Sequence, residues 1–203
     1  MSISLWLERL REWDEAGFYL ISRTLRNPFF DFIMPFVSNK WNFAIPVAVL
    51  LGYIVLFRPK RDRIIALSAI AVILLTDETS QFLKDLFERT RPFHPLRDTT
   101  RPVSFSFPSN HASNMFALAV FLSYNYSRSG WLCFPAAALV GYSRIYVGSH
   151  YPFDVLGGAL WGILVGLLGA VAVWRLMRMV GVRHTSPAGD EKDRPAGESE
   201  TFQ

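Results

Sequence analysis

Cysteine is almost absent from this sequence, since Cys133 is the only one among 203 residues. That scarcity excludes a disulfide within the chain and a zinc site built from several cysteines. A cleavable signal peptide is not expected either, because Glu8 and Arg9 interrupt the apolar run that such a peptide requires. Any insertion into a membrane is therefore expected to depend on the apolar segments of the chain itself.

Charge is missing from long segments in the middle of the chain, and 51% of all residues are hydrophobic. This fraction, with a mean hydropathy of +0.21, is high for a soluble domain and indicates membrane spans. A helix needs about 20 mostly apolar residues to cross a hydrocarbon core about 30 Å thick. Five segments approach that requirement, and we predict that they span the membrane: 41–57, 64–84, 112–124, 131–147 and 153–173.

The first forty residues depart from this pattern. Residues 5–25 interleave leucine and aromatic residues with acidic and basic ones, which is typical of an amphipathic helix. Because that segment is too charged to cross lipid, we expect it to lie flat at the membrane interface. Residues 28–38 are apolar but too short to span alone. The predicted fold is all-α, a polytopic membrane helix bundle of five spans, or of six if residues 15–38 cross as one kinked helix.

The C-terminal residues include few apolar side chains. Residues 185–203 carry five acidic and two basic residues, a net charge of −3 in a chain of net charge +4, so the remaining body carries +7. A segment of Pro, Gly, Ser, Thr and charge cannot bury enough surface to fold, which predicts a disordered polar tail. We therefore expect an amphipathic N-terminal segment (1–40), a membrane-embedded core (41–183) and the tail (184–203).

Basic residues predict the orientation of the spans. The densest cluster lies in the link 58–63, which the positive-inside rule places in the cytoplasm, together with the C-terminal tail. The links 85–111 and 148–153 then face the extracytoplasmic side of the cell (inner) membrane. Four arginines in the first of these links break the rule: Arg89, Arg91, Arg97 and Arg101. A bound anion would explain them, and a basic body is compatible with lipid headgroups, phosphate substrates or nucleic acid.

Three short stretches hold polar residues that the apolar pattern does not explain. The first places Lys84 seven residues before Arg91, about two turns away on one helix face. Pro92 disfavours helix at the residue before it, so we expect this helix to end near Arg91. Two further histidines, His94 and His184, are expected to be exposed and without a role.

The second stretch is Pro108-Ser109-Asn110-His111. Ser109 favours a helix cap, and the helix that it opens would direct unpaired backbone N–H groups at a bound anion. Earlier in the chain, Asp77, Glu78 and Ser80 lie within a predicted span. We interpret them as a polar face turned toward the bundle interior, and support of the catalytic residues is the alternative.

The third stretch runs from Ser143-Arg144 through His150 to Asp154. Pro152 suits the first turn of the last helix, so His150 should precede that helix and Asp154 should lie just inside it, within bonding reach. All three stretches fall at the extracytoplasmic end of the predicted spans. Two histidines, an aspartate, three cations and a helix N-terminus at one membrane edge predict a site for a tetrahedral oxyanion.

Phosphoryl transfer requires these residue types. A neutral imidazole, His150, can attack phosphorus if Asp154 holds its other ring N–H. His111 would give a proton to the leaving alkoxide and later take one from the hydrolytic water. Charge that develops on the phosphate oxygens would be neutralised by three basic residues: Lys84, Arg91 and Arg144.

At these positions the sequence resembles the type-2 phosphatidic acid phosphatases, or lipid phosphate phosphatases, which share a catalytic core with vanadium haloperoxidases. Lys84…Arg91-Pro92, Pro108-Ser109-Asn110-His111 and Ser143-Arg144…His150…Asp154 match the three family motifs in order and spacing, and the resemblance covers about residues 64–175. It implies a metal-free mechanism without a cofactor, in which His150 is the nucleophile, Asp154 orients it and His111 is the general acid. It also implies a set of phosphate-binding residues: Lys84, Arg91, Ser109, Asn110 and Arg144.

One position departs from the family pattern, because Asn110 stands where glycine is usual. If that position needs a positive φ, Asn is the least costly replacement, but its side chain would crowd the phosphate or narrow the range of substrates.

The predicted function is dephosphorylation of a membrane lipid phosphate or diphosphate. The resemblance implies candidates such as undecaprenyl diphosphate, phosphatidylglycerol phosphate, phosphatidic acid and a lipid A phosphate. A lipid phosphotransferase that uses the same phosphohistidine is the alternative, and a transporter is a third reading that the clustering of charges at one end disfavours. No nucleic-acid partner is expected.

Overall fold

The computed structural model of the chain describes residues 3–92 and 104–182, and helices are the regular secondary structure of these ranges, which contain no strand. A π-helical turn, Leu20–Thr24, follows the first helix, and a 3-10 turn, Ser127–Ser129, precedes the sixth. The described ranges contain seven α-helices: α1 Ile3–Tyr19, α2 Pro28–Ser38, α3 Trp41–Phe57, α4 Lys60–Phe87, α5 Asn110–Asn125, α6 Gly130–Tyr146 and α7 Pro152–Met179.

Two of these helices, α4 and α7, are long and apolar enough to cross a membrane, with 28 residues each. At about 1.5 Å per residue each is longer than the hydrocarbon core is thick. Helices α2 and α3 pass the same test only as a pair, and they are bent by 51° at the break between them. The expected all-helical membrane fold is therefore confirmed.

Helix α4 ends earlier than the sequence predicted. Its last residue is Phe87, and Glu88 adopts a left-handed backbone with φ 45° while its N–H donates to the Lys84 carbonyl. A helix cannot continue through a left-handed residue, so Arg91 lies outside the helix. The prediction that Lys84 and Arg91 share one helix face is wrong.

The centre of the bundle is the contact between α5 and α7. A Cβ added at Gly158 would lie 2.6 Å from the Ser109 carbonyl oxygen, and one at Gly162 would collide with the Ser113 carbonyl. Glycines four residues apart on α7 thus let the two backbones approach closely, as small residues do in membrane helix pairs. This contact places the start of α5, with His111, beside the start of α7, with Asp154.

Helix α1 has two different faces. Trp6 and Trp13 are 52% and 64% exposed, whereas Asp14 and Phe18 are buried. The Phe18 ring packs 5.4 Å from that of Tyr151, which immediately precedes α7. The buried face of α1 lies against the end of the bundle that holds the predicted site.

Candidate active site

His150 lies in the turn between α6 and α7 and is 2% exposed. Arg91 Nη1 donates to His150 Nε2 across 3.0 Å. Because a guanidinium can only donate, Nε2 must carry the lone pair and the ring proton must sit on Nδ1. Nδ1 faces Asp154 Oδ2 at 3.6 Å, just beyond hydrogen-bond distance. Asp154 therefore lies on the Nδ1 side of the imidazole, as predicted. A shift of a few tenths of an ångström would bring the two atoms within hydrogen-bond distance.

The electrostatic surroundings of His150 come from all three sequence stretches. Burial lowers the pKa of His150 well below its ordinary value, and the positive charges of Arg91, Arg144 and Lys84 and the nearby His111 lower it further. These residues are spread over 67 positions of the chain from Lys84 to His150, yet they act on one imidazole. The structure thus brings the three stretches together at the same end of the bundle.

Lys84 is buried, and its side chain contacts the backbone of the segment that precedes α5. Its ammonium donates to the carbonyl oxygens of Phe105, Ser106 and Pro108 at 3.1, 3.4 and 2.6 Å. These three bonds hold the backbone that carries Ser109 and His111. Lys84 therefore supports the second stretch directly, while its positive charge stays in the site.

Arg91 of the first stretch forms hydrogen bonds with the segment that precedes the second stretch and with the third stretch. Its Nε donates to the Ser104 carbonyl at 2.7 Å, and Nη2 donates to the Ser104 hydroxyl at 2.8 Å. Nη1 also donates to the Ser149 carbonyl at 2.9 Å, next to His150. These bonds fix the guanidinium with its Nη1 within hydrogen-bond distance of His150 Nε2.

Arg144 makes a contact that the sequence did not predict. Its Nη1 donates to both the hydroxyl and the carbonyl of Ser38, the last residue of α2. Its Nε is buried, with no hydrogen-bond partner among the described residues. No sequence signal pointed to Ser38, because an isolated serine at the end of an apolar segment matches no motif.

The start of α5 is fixed against α7, since the Ser109 N–H donates to the Asp154 carbonyl at 2.9 Å. Ser109 occupies the expected cap position but makes no side-chain cap bond. Its hydroxyl is buried and finds no partner in the part of the chain that the structure describes. Two buried donors, this hydroxyl and Arg144 Nε, are therefore still able to bind an anion.

Asn110 is the first residue of α5, so its backbone is helical and the position does not need a positive φ. Its amide donates to Asp77 Oδ1 at 2.9 Å, and Asn114 donates to the same oxygen at 3.2 Å. Asp77 is thus a partner of the second stretch, which favours the alternative reading of that residue. Glu78 is exposed, and the interpretation that it faces the bundle interior is wrong.

His111 follows in the first turn of α5 and is partly buried.

Within residues 3–92 and 104–182, no three His, Cys, Asp or Glu side chains come together as metal ligands would. Several residues considered from the sequence lie outside the described ranges: His94, Arg97, Arg101, His184 and the tail 184–203.

Asp154 has a partner that sequence reasoning missed. Arg89 Nη1 donates to Asp154 Oδ1 at 2.7 Å, and Arg89 also forms an ion pair with Asp14 of α1 at 2.5 Å. The one available signal was that Arg89 breaks the positive-inside rule. Asp14 gave none, because it is one of several acidic residues in a charged helix.

A buried imidazole with an unprotonated Nε2, a carboxylate behind it and cations in front of it is a suitable arrangement for binding and attacking a phosphoryl group. Comparisons with known proteins agree. The chain is 33% identical to a lipid A 4'-phosphatase of Bacteroides thetaiotaomicron over 71% of its length and 70% of the relative's. It is also 33% identical to an undecaprenyl-diphosphatase of Sulfolobus acidocaldarius, over 61% of this chain and 60% of that one.

Among solved structures, the chain resembles a transmembrane PAP2-type phosphatidylglycerolphosphate phosphatase from Bacillus subtilis. The TM-score is 0.67 at 25% identity, and the match covers 84% of this chain and 89% of the other. The family model of the PAP2 superfamily matches residues 64–178, which include all three stretches and most of α4 to α7. The chain belongs to the PAP2 superfamily.

Proposed function

We propose that this chain is a membrane phosphatase that hydrolyses a lipid phosphate or diphosphate through a phosphohistidine at His150. The observation that carries the proposal is the hydrogen bond from Arg91 to His150 Nε2. It requires an unprotonated Nε2 in a buried, positively charged site, which is the state that a nucleophile for an anionic ester needs.

The reaction has two steps. In the first, His150 Nε2 bonds to phosphorus as the bond from phosphorus to the ester oxygen breaks, and His111 protonates the leaving alkoxide. Asp154 faces the ring N–H and stabilises the positive charge that the imidazole acquires. In the second, His111 takes a proton from water, the water oxygen bonds to phosphorus, and the nitrogen–phosphorus bond breaks to release phosphate.

The incoming phosphate replaces the imidazole as a partner of Arg91, which frees Nε2 for attack. We assign phosphate binding to five residues: Lys84, Arg91, Ser109, Asn110 and Arg144. The unpartnered Ser109 hydroxyl and Arg144 Nε support this assignment. Asn110 contributes through its backbone N–H at the start of α5, since its side-chain amide is engaged by Asp77.

The direct test is phosphate release by the purified protein in detergent, with the parent and the His150→Ala and His111→Ala variants. We expect His150→Ala to abolish turnover and His111→Ala to lower it by roughly 100- to 10,000-fold, the usual range for a general acid. Release by His150→Ala as fast as by the parent would rule out the mechanism. New phospholipid with little free phosphate would instead identify a phosphotransferase.

For the substrate, we propose the classes named by the relatives: a lipid A phosphate, undecaprenyl diphosphate and phosphatidylglycerol phosphate, with phosphatidic acid as a fourth. The relatives support a lipid substrate because their names specify these lipids. A panel of the four lipids, ranked by kcat/KM, tests the assignment. Equal, weak release from all four and from a soluble phosphate ester would contradict it.

For the arrangement in the membrane, we propose five spans, or six if residues 15–38 also cross, with α1 at the interface. The site then faces the extracytoplasmic side of the inner membrane, and the link 58–63 and the tail face the cytoplasm. The basic link supports this orientation. A reporter fused at Lys60 should read cytoplasmic and one near Leu96 external, and the opposite pattern would contradict the orientation. The segments 1–40, 41–183 and 184–203 remain the proposed divisions of the chain.

A further inference from the structure

The carboxylate of Asp154 is held on both of its oxygens. Oδ1 accepts from Arg89 Nη1 at 2.7 Å, and Oδ2 accepts from the Tyr151 backbone N–H at 2.8 Å while facing His150 Nδ1. Asp154 is buried completely. Arg89 makes one of the bonds to this carboxylate, and it can hold the carboxylate in place for His150 only if Arg89 is itself fixed.

Arg89 is fixed by a residue that lies 75 positions earlier in the chain. Its Nη2 donates to Asp14 Oδ2 at 2.5 Å, and Asp14 Oδ1 accepts from the Phe153 backbone N–H at 2.7 Å. Asp14 is 1% exposed although it belongs to a helix whose other face is open. The guanidinium also lies over the Tyr151 ring, 4.5 Å from its centroid. Arg89 is therefore clamped between two buried carboxylates and an aromatic face.

The charges of this cluster suit the proposed reaction. Asp154 and Arg89 alone would be neutral as a pair, and Arg89 would cancel most of the field that Asp154 exerts on His150. Asp14 restores a net charge of −1 behind the imidazole. That negative charge becomes useful when Nε2 bonds to phosphorus, because the ring then carries a positive charge in a buried site.

We propose that Asp14 and Arg89 are positioning residues for the nucleophile: Asp14 of α1 holds Arg89, and Arg89 holds Asp154 against His150. The inference rests on the proposed phosphohistidine function. It gives the N-terminal helix, which lies outside the matched family region 64–178, a part in the chemistry. The competing explanation is that the ion pairs only fasten α1 to the bundle.

The test compares Asp14→Asn with Glu12→Gln, a carboxylate-to-amide change at an exposed position of the same helix. We expect Asp14→Asn to lower kcat roughly 10- to 100-fold, as loss of an orienting partner does, with KM within about twofold of the parent. Glu12→Gln should leave both constants unchanged. Size-exclusion profile and Tm in detergent establish that each variant is folded.

A double-variant cycle with Arg89→Gln separates positioning from simple attachment. If Asp14 acts through Arg89, then Asp14→Asn in the Arg89→Gln background should change kcat by less than about twofold. An unchanged kcat in folded Asp14→Asn would overturn the inference. So would a full kcat loss that persists in the Arg89→Gln background, or a loss that appears only in KM.

If Asp14→Asn does not fold, Arg89→Lys takes its place, because an ammonium keeps the charge but cannot bridge both carboxylates with paired N–H groups. We expect a lower kcat at unchanged KM, and a full parent kcat would overturn the inference. Inactivity of the parent itself, or activity of His150→Ala, would instead refute the proposed function. An active parent, an inactive His150→Ala and a fully active Asp14→Asn would refute the positioning role alone.

Discussion

The basic side chains at the two ends of the helix bundle have different hydrogen-bond partners. At the end formed by the start of α4 and the end of α5, Asp62 accepts from Arg58 at 2.8 Å and lies 3.5 Å from Arg61, and the Tyr126 hydroxyl donates to it at 2.8 Å. At the site end, Arg89 is paired with Asp14 and Asp154, whereas Lys84 donates to backbone carbonyls and Arg144 donates to Ser38. Among the described residues, neither of these two cations has a carboxylate within ion-pair distance.

This difference explains what each end does. A carboxylate offsets one unit of the positive charge around it, and so Asp62 partly compensates the charges of Arg58 and Arg61. Carbonyl and hydroxyl oxygens satisfy the N–H donors of a cation but leave its charge in place. The site end can therefore be packed and hydrogen-bonded and still attract an anion, because positive charge remains when every bond is made.

The largest effect is expected where the two ends are joined. In Gly162→Leu the new side chain collides with the α5 backbone at Ser113, so α5 and α7 must separate, at a cost of about 3 kcal/mol or more. We expect loss of folded protein on size exclusion and of activity. Gly52→Leu is the matched control, because nothing lies within 4 Å of its Cβ. Equal tolerance of both changes would refute the close α5–α7 contact.

The second prediction introduces at the site end a carboxylate that pairs with an arginine, as Asp62 does at the other end. In Ser38→Asp a carboxylate would pair with Arg144 and cancel its charge, and we expect kcat/KM to fall roughly 100-fold. Ser38→Ala removes only the hydroxyl and should cost less than about tenfold. The comparison would fail if Ser38→Asp were as active as Ser38→Ala in a phosphate-release assay.

The third prediction concerns pH. Burial and neighbouring cations hold the pKa of His150 well below its ordinary value, so the neutral nucleophile persists as the pH falls and is lost only below that pKa. The acidic limb of kcat/KM, which reports the free enzyme, should lie well below pH 6.5. Arg91→Gln removes the strongest of the charges acting on His150 and should move the limb to higher pH.

Arg63→Gln is the control for that experiment, because it removes an arginine at the opposite end of the bundle. It should leave the acidic limb in place. If the pH of the acidic limb of kcat/KM did not change in Arg91→Gln, or changed equally in both variants, the electrostatic explanation of the His150 pKa would be contradicted.

The smallest effect on activity is expected at the end of the bundle that holds Asp62. Asp62→Asn leaves Arg58 and Arg61 without their carboxylate, and since Arg58 is half exposed, solvent screens part of the cost. We expect a loss of about 1–2 kcal/mol in stability, seen as a Tm lower by a few degrees, and an unchanged kcat. A kcat change as large as that of Ser38→Asp would show that the two ends are not independent.

Much of the site could be predicted from the sequence because its residues lie at the ends of rigid apolar helices. The polar residues of the three stretches are unfavourable within the lipid-facing parts of the helices, so they were expected at the helix ends. Pro152 and Ser109 predicted helix starts within one residue of those observed. The end of α4 was missed because Pro92 restricts only its direct neighbour, whereas the left-handed backbone of Glu88 stops the helix three residues before Arg91.

The sequence by itself determined that the residues of the three stretches gather at one end of the bundle, since helix length, motif order and spacing are local properties of the chain. Only the tertiary structure decided what each of them touches. The partners of Arg144 and of Arg89 lie 106 and 75 positions away, and such pairs depend on how closely α5 approaches α7 and on where α1 and α2 dock. No local pattern encodes those distances, because they result from the packing of side chains between helices.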